Sequence, residues 1–439
     1  MKKNIIIAFL IYSGFLCARD VTAQETGAPL YLKTLIEKSF GNFPRMRSLD
    51  EAVNMSSIKV GMSRAGYLPI INADASYTYL NPTNKVSIPM GPGIVKELQM
   101  NPADNYSATL SIVQPLIDFK TPANTERAIS DLEISKANRE SMHSQLAYQI
   151  AQVYYGIIFL KKSITVQKMQ LNLVQSTMNL IEARLKNGDA LKYDLVSTQV
   201  RYTNIENYIT ELNNQLGKQY NLLGMLTGED IKNSFPADST FSCGYLDIAK
   251  DSVQAAAFSM NHDVRVAEAK VNFSNYDVSA VRRTFLPSLN LIAGAGYKDG
   301  IAPRIFDTNF NFYYGISLSL PILPASRPHL QLEMAEAGLR LAEEDLQYQK
   351  LAVSKDVANA LDDIRKNEMK SASMDTLLYQ AKLAVELGTE RFKEGVITSV
   401  ELMSAWTNYQ DAQLSKLQTE YSLLLSKLEL NRLSGNRWW

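Results

Sequence analysis

Two acidic residues occupy equivalent places after two glycines, and they are the side chains of this sequence best placed to act on an ion. Asp194 follows Gly188 by six residues, and Glu401 follows Gly395 by six residues. Glycine commonly ends a helix, so each carboxylate falls near the start of the helix that follows, where the helix dipole favours negative charge. From position alone, both acids are expected to be exposed charges near helix N-termini.

Each of these glycines also closes an R-x-x-x-G motif. Arg184 precedes Gly188 by four residues, and Arg391 precedes Gly395 by the same interval. Glycine readily adopts the left-handed conformation that ends a helix, and a basic side chain in the last turn suits the helix dipole. The motifs therefore predict two helix ends, each followed by a turn into another helix.

Enzymatic chemistry is not indicated by the sequence. It contains no G-x-S-x-G nucleophile motif, no phosphate-binding loop and no H-E-x-x-H zinc motif, and Gly294-Ala295-Gly296 lacks the third glycine of a dinucleotide site. The residues that most often bind metals are too few and too scattered to form a ligand cluster. They are Cys17, Cys243, His143, His262 and His329. We therefore expect no catalytic residue, no bound metal and no cofactor.

The paired motif is part of an internal repeat that covers most of the chain. Four landmarks recur in the same order: Leu68-Pro69 as Leu286-Pro287, Gln114-Pro115 as Leu320-Pro321, Arg184-x-x-x-Gly188 as Arg391-x-x-x-Gly395, and Leu226-Thr227-Gly228 as Leu433-Ser434-Gly435. Such self-similarity predicts one structural module written twice. The expected modules are residues 24–228 and 246–439, joined by a linker over residues 229–245.

The N-terminus is typical of an exported protein. It has a basic start, an apolar run that ends at Leu16, and small residues at Val21-Thr22-Ala23. Residues 1–23 are therefore predicted to be a secretory signal peptide, with Cys17 in its core rather than at a lipid-attachment site. At the other end, Trp438-Trp439 fits either a membrane interface or a loose terminal tail.

Composition and hydropathy limit the remaining classes. The chain carries 45 basic and 45 acidic residues, so it lacks the net positive charge that attracts nucleic acid. After the signal peptide, no apolar run approaches the roughly 20 residues of a membrane-spanning helix. Any membrane crossing would have to be made by strands.

Long helices are predicted from a heptad pattern. From Leu146 to Leu185 the apolar positions step alternately by four and three, with one polar interruption at Gln167. The segment Phe119–Lys186 would form a helix about 100 Å long at 1.5 Å per residue. The pattern resumes after Gly188, which predicts an antiparallel coiled-coil hairpin.

The second module repeats this hairpin over Leu330–Lys393 and Val396–Leu433. Shorter helices, Leu30–Ala65 with Gln199–Leu226 and their counterparts, would have to stack end to end to match one long helix.

Four segments alternate apolar and polar residues with a period of two, as β-strands do. They are Ile70–Leu80, Tyr106–Ile112, Leu289–Tyr297 and Phe312–Leu318. The intervening Asn81–Asn105 and Lys298–Asn309, rich in Gly, Pro and Asn, are predicted to be loops. The alternation suits a transmembrane barrel or a soluble antiparallel sheet with one wet face. Four strands cannot close a barrel in lipid, so the first alternative requires several copies of the chain.

The doubled order of helix, Leu-Pro, two strands, long helix, R-x-x-x-G turn and helix resembles the TolC-like outer-membrane efflux channels. The resemblance implies a mainly α protein with a transmembrane β-barrel portion, in which three chains of four strands form a 12-stranded barrel above a periplasmic α-helical tunnel. Leu68-Pro69 and Leu286-Pro287 would mark the strand starts.

The same resemblance implies a passive exit duct in the outer membrane of a Gram-negative bacterium, working with a periplasmic adaptor and an inner-membrane pump in efflux or type I secretion. The tips at Arg184, Gly188, Arg391 and Gly395 would dock the adaptor. A periplasmic adaptor or structural coiled-coil protein, also built on α-hairpins, is the alternative class.

The resemblance also gives the paired acids a second interpretation. Asp194 and Glu401 match positions near the periplasmic entrance, where three chains would bring six carboxylates to one constriction. Such a ring would form a cation-selective gate. The choice between this gate and ordinary helix-end charges stays open at the level of the sequence.

Overall fold

The computed structural model of the chain describes residues 30–229, 231, 235, 241, 250–301, 305–321 and 326–439. The predicted signal peptide, both cysteines and most of the predicted linker lie outside these residues. Within them the chain is mainly helical, as predicted. The helices are α1 (Leu30–Asn42), α2 (Pro44–Ala65), α3 (Lys120–Lys186), α4 (Lys192–Thr227), α5 (Lys250–Met260), α6 (His262–Arg283), α7 (Ser326–Lys393) and α8 (Ser399–Leu433), and the strands are β1 (Ile70–Tyr79), β2 (Lys85–Gly91), β3 (Ile94–Gln99), β4 (Asp104–Ile117), β5 (Ser288–Lys298) and β6 (Asn309–Ser319).

The four predicted strands form one antiparallel sheet in the order β1-β4-β5-β6. Its register keeps apolar residues together on one face: Ala73 lies opposite Leu110, which lies opposite Ala295, which lies opposite Phe312. Polar and small residues share the other face, where Ser76 pairs with Ser107. The alternation seen in the sequence therefore gives this sheet one apolar and one polar face.

The prediction of a loop over Asn81–Asn105 is wrong, because this segment contains the β2–β3 hairpin. Val86 pairs with Leu98 and Ile88 with Lys96, and an ion pair of 3.2 Å joins Lys85 to Glu97. Pro89, Gly91 and Gly93 interrupt the strand pattern, which is why the composition resembled a loop. The hairpin lies at the end of the sheet away from the helices.

The predicted helix Leu30–Ala65 is two helices, α1 and α2, separated at Phe43. Phe43 has an extended backbone (φ −71°, ψ 119°) and Pro44 opens α2. Proline disfavours the helical conformation of the residue before it and suits the first position of a new helix. Helix α4 begins at Lys192, next to Leu191, where the predicted heptad pattern resumes after Gly188, and it continues through the predicted segment Gln199–Leu226.

The heptad seam of α3 is buried as predicted. Leu146, Ile150, Ile157 and Val174 are fully buried, and the polar interruption Gln167 is only 1% exposed. The first hairpin, α3–α4, packs against the second, α7–α8, chiefly through α3 and α8. Helices α4 and α7 therefore lie at the outer edges of the pair of hairpins. Nearer the sheet, the helices contact one another in the order α2, α3, α6, α7.

The largest core lies midway along α3. Tyr154 and Tyr155 are buried there, and the described linker residues Phe235 and Phe241 pack against the same cluster. Lys161 lies over the Phe235 ring at 4.6 Å, a cation–π contact that holds the linker on α3.

The C-terminal tryptophans belong to this core, which corrects both interpretations of them. Trp438 is 6% exposed, and the Trp439 ring lies 6.4 Å from that of Phe40. Gly435 allows the two tryptophans to reach the core, because its left-handed backbone, with φ of +69°, redirects the chain after α8.

Candidate functional site

The two predicted tips are built by the same helix-ending turn. Gly188 has φ of +84° and Gly395 has φ of +76°. The N–H three residues past each helix donates back across the turn, from Asp189 to the Arg184 carbonyl and from Val396 to the Arg391 carbonyl, each at 2.9 Å. Nothing lies within 4 Å of a Cβ added at either glycine. The left-handed backbone, and not a lack of space, is what requires glycine at both tips.

Glu401 is the third residue of α8 and completes a reciprocal cap. Its Oε2 accepts hydrogen bonds from the Thr398 backbone N–H at 2.7 Å and from the Thr398 hydroxyl at 3.0 Å, and the Glu401 N–H donates to that hydroxyl at 3.2 Å. The backbone hydrogen bond from Thr398 is the main reason that the Glu401 pKa is lowered. This is the capping box that stabilises helix starts.

Asp194 holds the equivalent position in α4 but has different partners. Its Oδ2 accepts from the Leu191 N–H at 3.3 Å, and its Oδ1 accepts from the Ser399 hydroxyl of the second hairpin at 2.9 Å. Leucine offers no side-chain acceptor, so α4 has only half of a capping box. Asp194 is thus both a helix-end charge and a link between the two hairpins.

The two motif arginines are not equivalent either. Arg184 donates from Nη2 to the backbone carbonyls of Phe392 and Lys393, at 3.0 and 3.3 Å, and its guanidinium lies 4.8 Å from the centre of the Phe392 ring. It therefore caps the C-terminus of α7 in the other hairpin. Arg391 is exposed, and its side chain has no hydrogen-bond or ion-pair partner among the described residues.

A small apolar core supports these polar contacts. Ile181, Phe392 and Leu402 are buried together between the tips, with Leu195 and Trp406 packed against them. Further from the tips, the Arg201 guanidinium donates to the Thr407 hydroxyl. The tips of one chain therefore form a single joined unit.

The predicted strand starts lie at the other end of the long helices. Leu68-Pro69 immediately precedes β1, and Leu286-Pro287 immediately precedes β5. A series of tight turns ends the preceding helix in both cases, with the Leu68 N–H donating to Ala65 and the Leu286 N–H donating to Arg283. The 67 residues of α3 separate these positions from the tips by about 100 Å.

Two asparagines that we did not single out from the sequence join the short helices. Asn261 is 1% exposed, its Oδ1 accepts from the N–H groups of Asp263 and Val264, and its Nδ2 donates to the Leu433 carbonyl at 2.9 Å. One side chain thus caps the start of α6 and the end of α8. Asn42 donates in the same way to the Thr227 carbonyl at the end of α4, at 3.2 Å. Their spacing of 219 residues (261 − 42) is close to the interval between the Leu-Pro landmarks, which is the signal that could have revealed them.

Other kinds of site are not formed by the described ranges. No group of three or more His, Cys, Asp or Glu side chains in them is arranged to hold a metal ion. None of the helices described there has an apolar stretch long enough to span a bilayer.

Comparison with known proteins gives a consistent result. The family model described as "Outer membrane efflux protein" matches residues 35–229 and 254–436. The pyoverdine export outer membrane protein OpmQ of Pseudomonas putida is 22% identical over 73% of this chain and 69% of its own. The outer membrane protein TolC of Vibrio cholerae is 20% identical over 90% of this chain and 88% of its own. Among solved structures, the outer membrane protein VceC of Vibrio cholerae superposes with a TM-score of 0.76 at 18% identity, over 92% of this chain and 96% of that one.

Proposed function

Because the chain belongs to the outer membrane efflux protein family, as its resemblance to TolC-like channels predicted, we propose that three copies of it form a passive exit duct. The duct lies in the outer membrane of a Gram-negative bacterium, with its helical tunnel in the periplasm. It hydrolyses nothing, and an inner-membrane pump with its periplasmic adaptor supplies energy and selectivity. The observation that carries the proposal is a four-stranded sheet that cannot close within one chain.

Both edges of that sheet are available for pairing. In the described part of the chain, β1 and β6 each pair with one neighbouring strand only. The helices that lie along the same edges, α2 and α7, expose rows of apolar side chains. The exposed residues of these rows are Met55, Ile58, Met62, Leu330, Met334 and Leu341. Unpaired strand edges are not tolerated in lipid, and large exposed apolar patches mark interfaces. Both features are satisfied when β6 and α7 of one copy meet β1 and α2 of the next.

The internal repeat supplies the register of this contact. Within the chain, β4 of the first repeat pairs with β5 of the second, and Ser111 lies opposite Gly294. The landmark intervals make Ser317 equivalent to Ser111 and Ser76 equivalent to Gly294 (317 − 111 = 206 and 294 − 76 = 218). Ser317 should therefore lie opposite Ser76 of the next copy. Both serines lie on the polar face of the sheet, so the pairing keeps the two faces continuous around the ring.

Three copies give twelve strands, the number that the family resemblance implied. The polar face then lines the lumen and the apolar face meets lipid, as in other transmembrane barrels. A periplasmic adaptor has one hairpin between soluble β-domains, whereas this chain has two long hairpins and one continuous sheet. The adaptor alternative is not supported by this architecture.

A cysteine pair tests the ring directly. Ser76→Cys and Ser317→Cys are introduced together in a background with Cys243→Ser. Within one chain the strand pairing places Ser76 in line with Asn309, three strand spacings away, and Ser317 lies eight residues further along β6. The two positions are therefore roughly 30 Å apart, too far for a disulfide. Oxidation should therefore link different chains and give dimer and trimer bands on non-reducing gels of the outer-membrane fraction.

The matched control is Ser76→Cys with Asn290→Cys, which keeps one cysteine in place and moves the other to a strand that should not meet β1 of any copy. A heat-sensitive oligomer that requires detergent and crosslinks only in the first pair supports the duct. A soluble monomer, or equal crosslinking in both pairs, would rule out this ring.

We place adaptor docking at the tips, because each has an exposed turn with an open approach to its glycine, at Gly188 and Gly395. Arg184 contributes by holding the two tips together, and Arg391 is exposed in the single chain. We also assign the entrance constriction to Asp194 and Glu401. Of these acids, Glu401 is the one with an oxygen, Oε1, that has no partner among the described residues.

A further inference from the structure

The contact between the two tips of one chain indicates how the tips of two chains meet, and this step rests on the proposed ring. In one chain, Arg184 of the first tip binds the last carbonyls of α7, and Asp194 accepts a hydrogen bond from Ser399. In a ring, the second tip of each copy must face the first tip of the next copy. Repeat-equivalent residues should then face one another across that boundary.

The equivalent residues follow from a constant interval. From the R-x-x-x-G motif to the end of the repeat, every landmark recurs after 207 residues (395 − 188 and 435 − 228). Arg391 therefore replaces Arg184, and the carbonyls of Leu185 and Lys186 replace those of Phe392 and Lys393. By the same interval, Glu401 replaces Asp194, and Lys192 replaces Ser399. A hydrogen bond from a neutral hydroxyl to a carboxylate inside the chain thus becomes an ion pair between chains.

The residues concerned are free to make these contacts. Arg391, Lys192 and Glu401 are all exposed. Neither basic side chain has a hydrogen-bond or ion-pair partner within the part of the chain that is described, and Glu401 uses only Oε2 in its cap. Lys192 also begins α4, where the helix dipole disfavours a positive charge. A carboxylate supplied from outside the chain would compensate for that placement.

We propose that Glu401 of each copy forms an ion pair with Lys192 of the next copy, and that Arg391 donates to the Leu185 and Lys186 carbonyls of that same neighbour. The tips then form a continuous ring in which contacts within chains alternate with contacts between chains. Arg391 is buried by the neighbouring copy, so an incoming adaptor meets the glycine turns and not this arginine.

Charge reversal tests the ion pair. Lys192→Glu and Glu401→Lys are made singly and together, and the temperature at which the oligomer dissociates is measured at low and high salt. Exposed ion pairs change an equilibrium by about 1.4- to 5-fold each, so three contacts should change oligomer dissociation by about 3- to 100-fold. Each single reversal should destabilise the oligomer, and the double reversal should restore it. The effect should shrink as salt rises.

Glu394→Lys is the matched control, because it makes the same charge change on an exposed tip residue outside the predicted contact. Paired with Lys192→Glu, it should restore nothing. Strictly additive effects of Lys192→Glu and Glu401→Lys would overturn the ion pair. The Ser76–Ser317 crosslink is measured in every variant: if it forms while no coupling is seen, only this inference fails, and if it never forms, the ring itself fails.

Discussion

A charge on the lipid face of the sheet should cost far more than the same charge one residue away. Ala75 is the sixth of the ten residues of β1, on the apolar face, and its neighbour Ser76 points to the opposite face. At about 3.3 Å per residue and a tilt of about 40°, ten residues cover about 25 Å of bilayer, and Ala75 lies within about 2 Å of its centre. Ala75→Arg therefore places the guanidinium where the full midplane penalty applies.

That penalty is about 2–4 kcal/mol for each chain, which corresponds to roughly 30- to 700-fold in the folding equilibrium. The assay is the yield and urea resistance of heat-sensitive oligomer in the outer-membrane fraction. Ser76→Arg is the matched control, because its side chain faces the aqueous lumen. The same comparison in the second repeat uses two separate variants, Leu291→Arg on the apolar face and Ser317→Arg on the polar face. The cost at Leu291 should be smaller than at Ala75, because Leu291 lies further from the middle of its strand.

Equal loss of oligomer in Ala75→Arg and Ser76→Arg would refute the assignment of the two faces. A greater loss in Ser76→Arg would invert it and place the polar face against lipid. Both results would leave the antiparallel register intact, and equal loss would also remove the reason to place this sheet in a membrane.

Other predictions concern the tips and the middle of the chain. Gly395→Trp should leave the oligomer assembled but abolish efflux and adaptor crosslinking, because the exposed left-handed turn disfavours any side chain. Normal efflux in bacteria that carry this variant would rule out the docking role. Asp194→Asn with Glu401→Gln should reduce cation preference and relieve divalent-ion block in single-channel recordings, and unchanged values would place the constriction elsewhere. Asn261→Ala removes a helix cap and leaves the Leu433 carbonyl without its partner, at a combined cost of about 2–4 kcal/mol in thermal unfolding of the purified protein. Asn261→Ser, which keeps a capping oxygen and adds no buried charge, should recover part of that cost.

The features predicted correctly are those that the sequence repeats many times. The burial of α3 follows from a seam that recurs over forty residues, and the two-sided sheet follows from alternation in four separate strands. Each additional repeat of such a pattern restricts the possible structures further, because a helix or strand must bury one face along its whole length. The resemblance to TolC-like channels rested on the same repeated order.

The errors and omissions arose where one local contact decides the structure. The helix break at Phe43 depends on a single proline, and the β2–β3 hairpin is interrupted by Pro89 and two glycines within a short span. The burial of Trp438 depends on the position of Phe40 and its neighbours, which are distant in sequence. The different partners of Arg184 and Arg391 could not be read from two identical motifs, because they depend on which hairpin lies beside each arginine.

Among the described residues, the β2–β3 hairpin has no counterpart in the second repeat. The long hairpins of the two repeats are nearly equal, with α3 and α7 of 67 and 68 residues and α4 and α8 of 36 and 35. The proposed ring of three chains would therefore have different symmetry at its two ends. The periplasmic end presents six almost identical helical tips and matches a partner with six similar binding sites. The opposite end carries three β-hairpins and offers a threefold surface. Mutations in β2 or β3 should therefore change that outer surface, and what it meets outside the cell, without disturbing the six tips that we propose to dock the adaptor.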